Sequence, residues 1–272
     1  MRNIINKQLE QYKNKKVALL FSGGLDSLSL MISCLDVGIK PTLYSFKLEG
    51  IESDDIKASR RIANIYGLKL VEVTIPKNIS TLIDDVELII EKFKVKKKTQ
   101  IQCIQPFIHI VKYIEEDIVL SGLCADDILG TSRKMQVNGR NNNEVFYQMR
   151  LDKQNDILSS SYCFIKRVFE EKEKQFIAPY KENMELVNYI LSKDFSQLHK
   201  PKLKQLTYDN YKNEIDKYDL YRKNSSLQVN SGVREWHDEL LKTELNVNNW
   251  KSVVGIYNYI YKQKDIELKQ AR

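Results

Sequence analysis

This chain of 272 residues is poor in the features that mark several common classes of protein. Its few cysteines are Cys34, Cys103, Cys124 and Cys163. They contain no Cys-x-x-Cys pair, which argues against a zinc site or a disulfide framework. The three histidines show no spacing typical of metal ligands, and neither an internal repeat nor a low-complexity tail occurs. We therefore expect reduced thiols.

Long apolar segments are missing as well. No run approaches the length needed to cross a bilayer, and residues 1–7 do not lead into an apolar signal sequence with a small-residue cleavage site. These absences predict a cytoplasmic protein without a membrane partner. Hydrophobic residues still make up 42% of the chain, which is ample for a core and is compatible with a single domain over residues 1–272.

The charge balance is basic, with a net charge of +7 and an isoelectric point of about 9.0. Such a balance permits a polyanionic substrate or an acidic partner. It does not require one, because the lysine-, isoleucine- and asparagine-rich composition also fits a bias in genomic base composition. A nucleic-acid partner therefore stays open as the less favoured expectation.

The most informative stretch, residues 17–27, reads Val-Ala-Leu-Leu-Phe-Ser-Gly-Gly-Leu-Asp-Ser. An apolar run, a glycine pair and a second apolar run predict a buried strand, a tight turn and the start of a helix. Gly23 and Gly24 let the backbone approach a ligand closely. Ser22 and Ser27 add hydroxyl donors beside the free amides of the helix start. We call residues 22–27 the phosphate turn, because this combination predicts binding of phosphate oxygens.

An acidic residue in the phosphate turn needs its own explanation. Asp26 would repel a phosphate, so its expected task is to hold Mg²⁺ between itself and the phosphate oxygens. An ordinary strand-to-helix turn is the alternative. It would need neither the two serines nor a carboxylate aimed at the turn.

Strand and helix alternate through the first half of the chain. The predicted strands are residues 16–21, 41–46, 69–75 and 117–120, and the predicted helices are residues 4–12, 26–37, 53–66, 79–93 and 105–114. This order predicts an α/β fold, a Rossmann-like parallel sheet with flanking helices, over about residues 1–135. About residues 136–272 are expected to be mostly helical, and the asparagine-rich residues 138–144 are expected to form a mobile lid.

A second cluster, residues 121–130, reads Ser-Gly-Leu-Cys-Ala-Asp-Asp-Ile-Leu-Gly after a short apolar strand. Because the carboxyl ends of parallel strands meet at one edge of a sheet, this cluster is expected to lie beside the phosphate turn. Asp26 and Asp126 would then share one magnesium ion. The alternative is that Asp126 and Asp127 only cap the next helix.

These motifs resemble a known superfamily. Ser-Gly-Gly-Leu-Asp-Ser at residues 22–27 is similar to the pyrophosphate loop of the PP-loop (HUP-type) ATP pyrophosphatases, which include asparagine synthetases, GMP synthetase, tRNA lysidine synthetases and tRNA thiolating enzymes. Residues 121–130 resemble the Ser-Gly-Glu-Gly-Ala-Asp-Glu-Leu-Phe-Gly signature of the asparagine synthetase branch. Residues 176–182, 200–204 and 221–225 resemble its Arg-Val-Pro-Phe-Leu-Asp, Lys-x-x-Leu-Arg and late Arg-x-Lys segments. Order and spacing agree from about residue 10 to 245.

The resemblance implies an ATP-dependent ligase. A carboxylate would attack the α-phosphorus of ATP, pyrophosphate would leave, and an amine or ammonia would capture the acyl-adenylate to give an amide and AMP. ATP and Mg²⁺ are the implied cofactors, and a small-molecule or peptide carboxylate is the implied substrate. Oligomeric state does not follow from the sequence.

The resemblance also assigns residues. Lys223 and Asp26 are the implied catalytic residues, and Asp26 and Asp126 the implied metal ligands. Lys223 corresponds to the lysine that reaches the α-phosphate and the reacting acyl group. The implied nucleotide-binding residues are Leu20, Ser22, Gly23, Gly24, Asp26, Ser27, Ser45, Phe46 and Gly122.

Several positions depart from the family pattern. Leu123 stands where asparagine synthetases have glutamate and β-lactam-forming relatives have tyrosine, and Gln175 falls near the position of the tyrosine's glutamate partner. Neither side chain is a good base, so the amine-activating pair of the cyclising relatives is expected to be absent. Glu182 replaces an aspartate, which argues against aspartate as the acceptor. No glutaminase domain is expected before the phosphate turn, so nitrogen would come from free ammonia, an amine substrate or a separate glutaminase.

Other residues favour simpler interpretations. Cys124 lies beside acids, which raise a thiol pKa, and we expect it to be buried for packing rather than to carry sulfur. The basic residues 94–98 and 200–204 are expected on solvated surfaces, although the second run could touch phosphate.

Two rival functions remain open. A PP-loop enzyme that adenylates a carbonyl oxygen of a tRNA base or nucleotide, for amination or thiolation, is favoured by the basic charge and disfavoured by the lack of paired cysteines. A non-catalytic nucleotide-binding protein is suggested by Leu123 and Gln175, and opposed by the presence of Asp26, Asp126 and Lys223.

Overall fold

The computed structural model describes residues 1–222 and 227–270. Its strands are β1 (Val17–Leu20), β2 (Thr42–Leu48), β3 (Leu70–Ile75), β4 (Ile118–Ser121) and β5 (Gln175–Ile177). They form one parallel sheet in the order β3-β2-β1-β4-β5. Every residue of β1 and β4 is buried, as expected for central strands that are covered on both faces. The predicted α/β fold with a Rossmann-like parallel sheet is confirmed.

Helices follow the strands of the first half as predicted. They are α1 (Arg2–Leu9), α2 (Leu25–Asp36), α3 (Asp54–Tyr66), α4 (Ile79–Phe93) and α5 (Lys98–Ile110), with short 3₁₀ turns at Glu10–Tyr12 and Val111–Tyr113. The start of α5 at Lys98, earlier than the predicted residue 105, is the main difference. Part of the basic run 94–98 therefore connects two helices, and Lys94 ends α4 in the left-handed conformation.

The second half is mostly helical, as expected. Its helices are α6 (Ala125–Leu129), α7 (Arg133–Asn141), α8 (Asn143–Asn155), α9 (Tyr162–Glu170), α10 (Pro179–Glu182), α11 (Met184–Leu191), α12 (Phe195–His199), α13 (Gln205–Asn210), α14 (Lys212–Tyr218), α15 (Leu227–Asn230), α16 (Val233–Asp238) and α17 (Val253–Gln270). Within the described part of the chain, no helix has the length and apolarity required to cross a bilayer.

The prediction of a lid at residues 138–144 is wrong, because this segment joins two helices. Ser132 caps α7 by accepting a hydrogen bond from the backbone of Met135 at 3.3 Å. Asn142 caps α8 by accepting bonds from the amides of Glu144 and Val145 at 2.9 and 3.1 Å. An asparagine that reads as a loop former in the sequence therefore serves as a helix N-cap.

The chain packs as two compact units, each built from several segments. The first unit contains residues 1–45, 58–71 and 114–224, and the second contains residues 46–57, 72–113 and 225–272. The expected division near residue 135 into an ATP-binding part and a helical part stays a prediction.

The first unit holds a large apolar core around β1 and β4. Leu19, Leu28 and Leu120 are completely buried there, together with Phe146 on α8. A buried arginine lies at the border of this core. Arg150 is 1% exposed and donates to the carbonyl oxygens of Ile190, Leu191 and Lys193 at 2.9, 3.2 and 2.8 Å, which ties α8 to the end of α11.

The second unit contains a chain of buried polar side chains. His237 is fully buried, and its Nε2 donates to Gln105 Oε1 at 2.9 Å. The hydroxyl of Tyr257 donates to His237 Nδ1 at 2.6 Å, and Gln105 Nε2 donates to Asp85 Oδ2 at 2.9 Å. Burial lowers the pKa of His237 to about 3, which keeps this imidazole neutral.

Candidate active site

The sheet brings the two sequence clusters to one edge. Leu20 at the end of β1 pairs with Ser121 at the end of β4, so the segments that follow the two strands are neighbours. A Cβ atom placed on Gly122 would lie 3.1 Å from Asp26 Cβ and 3.1 Å from Ser27 N. The second cluster therefore contacts the phosphate turn through a glycine that leaves no space for a side chain.

The phosphate turn is organised by its own serines. Ser22 N donates to Ser27 Oγ at 3.3 Å, and Gly24 N donates to Ser22 Oγ at 3.3 Å. Ser27 Oγ in turn donates to Gly24 O at 3.1 Å. The two hydroxyls thus close the turn at the N-terminus of the twelve-residue helix α2, where free amides favour an anion.

The two glycines of the phosphate turn differ in their surroundings. Gly23 has a left-handed φ of +69°, and a Cβ atom there would lie 2.8 Å from Ala58 Cβ on α3. Gly24 has a φ of −79°, which any residue adopts. A Cβ at Gly24 would meet only Ser22 Oγ, at 3.4 Å. Gly23 is therefore required by the fold itself, whereas a Cβ at Gly24 would make one ordinary van der Waals contact.

The two predicted metal ligands, Asp26 and Asp126, lie on either side of a buried lysine, Lys204. We call these two aspartates the carboxylate pair. Lys204 Nζ lies 2.5 Å from Asp26 Oδ2 and 2.8 Å from Asp126 Oδ1. The side chain of Lys204 is 2% exposed, whereas those of Asp26 and Asp126 are 19% and 50% exposed. One ammonium thus holds together two carboxylates that come from different strand ends, and the predicted magnesium ion shared by them stays a prediction.

The electrostatics of this cluster follow from its burial. Burial raises the pKa of Asp26 to about 6; the nearby ammonium of Lys204 opposes this shift, and Asp126 adds to it. Burial also disfavours the charged form of Lys204, but the carboxylate pair outweighs it and raises the pKa of the lysine. The side chain of Lys204 therefore stays protonated at neutral pH.

The prediction that residues 200–204 form a solvated surface is wrong for Lys204. The lysine adopts left-handed backbone angles (φ 59°, ψ 35°) just before α13. Its backbone N donates to His199 Nδ1 at 3.2 Å, and His199 Nε2 donates to Leu129 O at 2.8 Å. Because α6 contains both Asp126 and Leu129, the imidazole of His199 connects the backbone of Lys204 to the helix of Asp126.

This arrangement requires a neutral His199 with its proton on Nε2. Burial lowers the pKa of His199 to about 4, with smaller contributions from neighbouring cations. No local pattern in the sequence indicated this role for His199. The only signal for Lys204 was its position in a family-like segment.

Tyr221 and Arg222, the described residues of the family-like segment 221–225, contact the two motifs of the site. The guanidinium Nη1 of Arg222 donates to Ser22 O at 3.0 Å. Tyr221 OH donates to Leu203 O at 3.3 Å, which connects Tyr221 to the segment of Lys204. Lys223, the predicted catalytic lysine, lies outside the described residues, so its role stays a prediction.

The predicted adenine-lining residues lie on β1 and β2. Leu20 is buried at 8% exposure and pairs with Tyr44. Ser45 and Phe46 follow Tyr44 along β2, which continues to Leu48 rather than ending at residue 46 as expected. Their part in nucleotide binding stays a prediction.

The donor set fits magnesium held jointly by protein and nucleotide. Asp26 Oδ1 is buried and has no hydrogen-bond partner, so one oxygen of the carboxylate pair is available to a cation. Over residues 1–222 and 227–270, no group of three or more histidine, cysteine, aspartate or glutamate side chains forms a metal site. Mg²⁺ usually binds through one or two carboxylates together with substrate phosphates, which is the number offered here.

A second polar cluster lies beyond β5. Glu182 accepts hydrogen bonds from Tyr162 OH, from Lys166 Nζ at 2.6 Å and from the backbone of Ala178 at 2.9 Å. Gln175 lies at the opposite end of β5, where it pairs with Ile118 at the start of β4. The amide of Gln175 is therefore at the edge of the sheet away from the phosphate turn, whereas Glu182 follows the carboxyl end of β5.

The cysteines agree with the expectation of free thiols. All four are unpaired by disulfides, and Cys124 is 4% exposed. Burial, followed by the charge of Asp127, raises the pKa of Cys124 to about 12. A thiol in that environment is a packing group and a poor nucleophile.

A parallel sheet with this turn after its first strand, and two carboxylates at the adjoining strand ends, is the arrangement that the resemblance to the PP-loop superfamily predicted. The chain belongs to the asparagine synthase family, which it matches over residues 2–244. Proteins of this family use ATP.

One similar protein is a probable glutamine-hydrolysing asparagine synthetase from Acanthamoeba polyphaga mimivirus. The two sequences are 28% identical over 132 residues, which is 46% of this chain and 23% of the viral protein. The chain thus corresponds to less than a quarter of the length of that relative in this match.

Two solved structures show a weaker likeness. The predicted subunit of a tRNA methyltransferase from Methanocaldococcus jannaschii has a TM-score of 0.38 and 16% identity, and covers 78% of this chain and 94% of its own. The U34-tRNA thiolase NcsA from Methanococcus maripaludis has a TM-score of 0.40 and 17% identity, and covers 98% of this chain and 78% of its own. Likeness at this level carries no functional argument.

Proposed function

We propose that this protein is an ATP-dependent ligase that adenylates a substrate carboxylate, releases pyrophosphate and transfers the acyl group to an amine or ammonia. The observation that carries the proposal is the meeting of Asp26 and Asp126 at one cation position beside the phosphate turn, with their oxygens 2.5 and 2.8 Å from Lys204 Nζ. Membership of the asparagine synthase family supports the same chemistry.

The phosphate turn would hold the departing pyrophosphate. The amides at the start of α2 and the hydroxyl of Ser22 lie at this turn and can donate to phosphate oxygens, whereas the hydroxyl of Ser27 would do so only after releasing Gly24 O. Magnesium held by the carboxylate pair would neutralise the charge that develops on the leaving group.

The acceptor would lie beyond the carboxyl ends of β4 and β5. Leu123 cannot exchange a proton, so it contributes packing rather than acid–base chemistry. Glu182 is held by Tyr162 and Lys166 and would orient a substrate on that side. The acceptor we propose is a small-molecule or peptide carboxylate, and the nitrogen donor is an amine or ammonia, which a separate glutaminase could supply.

The test is to incubate the protein with ATP, Mg²⁺, ammonia and a panel of carboxylic acids, and to assay AMP and pyrophosphate. For an acid that supports the reaction, ¹⁸O in its carboxyl group should appear in the phosphate of AMP. ADP and inorganic phosphate as products, or AMP without the label, would contradict adenylation of the carboxylate. AMP formed only when tRNA is added would favour base modification instead.

Two neighbouring aspartates provide a matched control. Asp126→Asn should abolish AMP formation because it removes a charge from the carboxylate pair. Asp127→Asn removes the same charge from the adjacent residue, whose Oδ2 accepts from Ser159 Oγ at 3.0 Å and Ser160 Oγ at 2.6 Å. Asp127→Asn should retain activity, and equal loss in both variants would argue against a specific role of Asp126.

A further inference from the structure

The ammonium of Lys204 occupies the position between the two carboxylates. Its contacts of 2.5 and 2.8 Å with Asp26 and Asp126 are those of a cation ligated by both. Burying a lysine at 2% exposure is unfavourable unless its charge is paired. Two carboxylates around one ammonium leave a net negative charge, so the cluster still attracts a cation of higher charge.

The backbone fixes this position as well. His199 accepts from Lys204 N at 3.2 Å and donates to Leu129 O at 2.8 Å, at the end of the helix that contains Asp126. The nearby Lys202 is held separately, with its Nζ 3.2 Å from the ring centre of Tyr208 and 4.3 Å from that of Tyr221. The segment is therefore anchored at two points, and of these two lysines it is Lys204 that contacts the carboxylate pair.

We propose that Lys204 is an internal competitor of the divalent cation for the carboxylate pair. This inference rests on the proposed function, because it takes Asp26 and Asp126 as the metal ligands. Without nucleotide, Lys204 holds the two like charges together and weakens the binding of free metal. When the metal–nucleotide complex binds, Lys204 gives up the carboxylate oxygens and turns its ammonium towards the phosphates.

The proposal predicts that removal of the ammonium improves binding of metal alone. Lys204→Met keeps an unbranched side chain, one atom shorter than that of lysine, and removes its charge. In the absence of nucleotide, the affinity for Mn²⁺, measured from the electron paramagnetic resonance of the free ion, should rise about tenfold or more. Binding of the Mg²⁺ complex of α,β-methylene-ATP should weaken. A role limited to stability would improve neither affinity.

Lys202→Met is the matched control, because it removes an identical charge from the same segment without touching a carboxylate. Its Mn²⁺ affinity should stay within about twofold of the unchanged protein, the effect of a distant screened charge. Equal Mn²⁺ affinity in Lys204→Met and the unchanged protein would overturn the proposal. So would an equal gain in both variants, which would show a general effect of net charge.

A measurement on the unchanged protein covers the case in which Lys204→Met does not fold. Lysine ¹⁵Nζ resonances of buried ammonium groups are observable by NMR. The slowly exchanging ammonium resonance should shift when Mg²⁺ and α,β-methylene-ATP are added together, and stay in place when the nucleotide is added with EDTA. No shift in either case would refute displacement of Lys204.

The metal-binding and AMP-formation measurements distinguish a failure of cation competition from a failure of the ligase activity. If Lys204→Met gains Mn²⁺ affinity but no carboxylic acid supports AMP formation, competition for the cation stands and the ligase activity falls. If AMP forms with ¹⁸O transfer but Mn²⁺ affinity is unchanged in Lys204→Met, the ligase stands and the competition is refuted.

Discussion

Replacement of Gly23 by alanine is expected to destabilise the protein, whereas the same change at Gly24 is expected to impair nucleotide binding. Gly23 combines a φ of +69° with a space in which a Cβ would approach Ala58 Cβ to 2.8 Å. Gly24 has neither constraint, since its φ is −79° and its Cβ would lie 3.4 Å from Ser22 Oγ. Alanine substitutions at these two adjacent glycines therefore test folding stability and nucleotide binding separately.

The expected loss of folding stability in Gly23→Ala has two contributions. A non-glycine residue in the left-handed region costs about 1–2 kcal/mol. Overpacking against α3 adds about 1–3 kcal/mol, because the neighbour is the short side chain of Ala58, which cannot rotate away. We expect a loss of about 2–5 kcal/mol in the free energy of unfolding, measured by urea denaturation.

Gly24→Ala should leave stability within about 1 kcal/mol, because the reduced entropy of the unfolded chain offsets a poorer N-cap on α2. Its added methyl group should lower the affinity for Mg²⁺ and α,β-methylene-ATP, measured by calorimetry, by about tenfold, or 1.4 kcal/mol. The reasoning is refuted if Gly23→Ala is as stable as Gly24→Ala. Unchanged nucleotide affinity in Gly24→Ala would refute the placement of phosphates on this turn.

Two further predictions concern buried cations and imidazoles. Arg150→Met should lower the free energy of unfolding by about 3 kcal/mol, because it leaves the carbonyls of the α11 end unpaired; a loss below about 1 kcal/mol in urea denaturation would contradict this. The pKa of His199, lowered to about 4 by burial, predicts stability that is complete above the unfolded pKa of about 6.5 and is lost as pH falls towards 4. Between pH 7 and 5 this loss is about 2 kcal/mol. The raised pKa of Asp26 acts in the opposite sense, so the test compares the pH slope of stability with that of His199→Gln, and equal slopes would disprove the assignment.

The strands and the phosphate turn were predictable because their signals are local. An apolar run from Val17 to Leu20, followed by two glycines, specifies a strand and a turn wherever it occurs. The parallel sheet then places Ser121 beside Leu20, so the meeting of the two clusters followed from the fold class. β5 was missed because its three residues are too short for a periodic pattern.

The position of Lys204 between the two carboxylates could not be predicted from a local pattern. Lys204 is separated from Asp26 by 178 positions, and no local pattern distinguishes it from the other lysines of residues 200–204. Its burial depends on the left-handed turn before α13 and on the hydrogen bond that its backbone N donates to His199 Nδ1, which are tertiary features. The error at residues 138–144 has a related cause, since composition cannot show whether an asparagine ends a helix or begins one.

The most direct test of the account is a crystal structure of the protein with Mn²⁺ and α,β-methylene-ATP, in which anomalous scattering locates the metal. We expect an anomalous peak between Asp26 and Asp126, phosphates over residues 22–27, and Lys204 Nζ moved from the carboxylates to a phosphate oxygen. Phosphates bound away from the phosphate turn, or a metal remote from the carboxylate pair, would contradict the account.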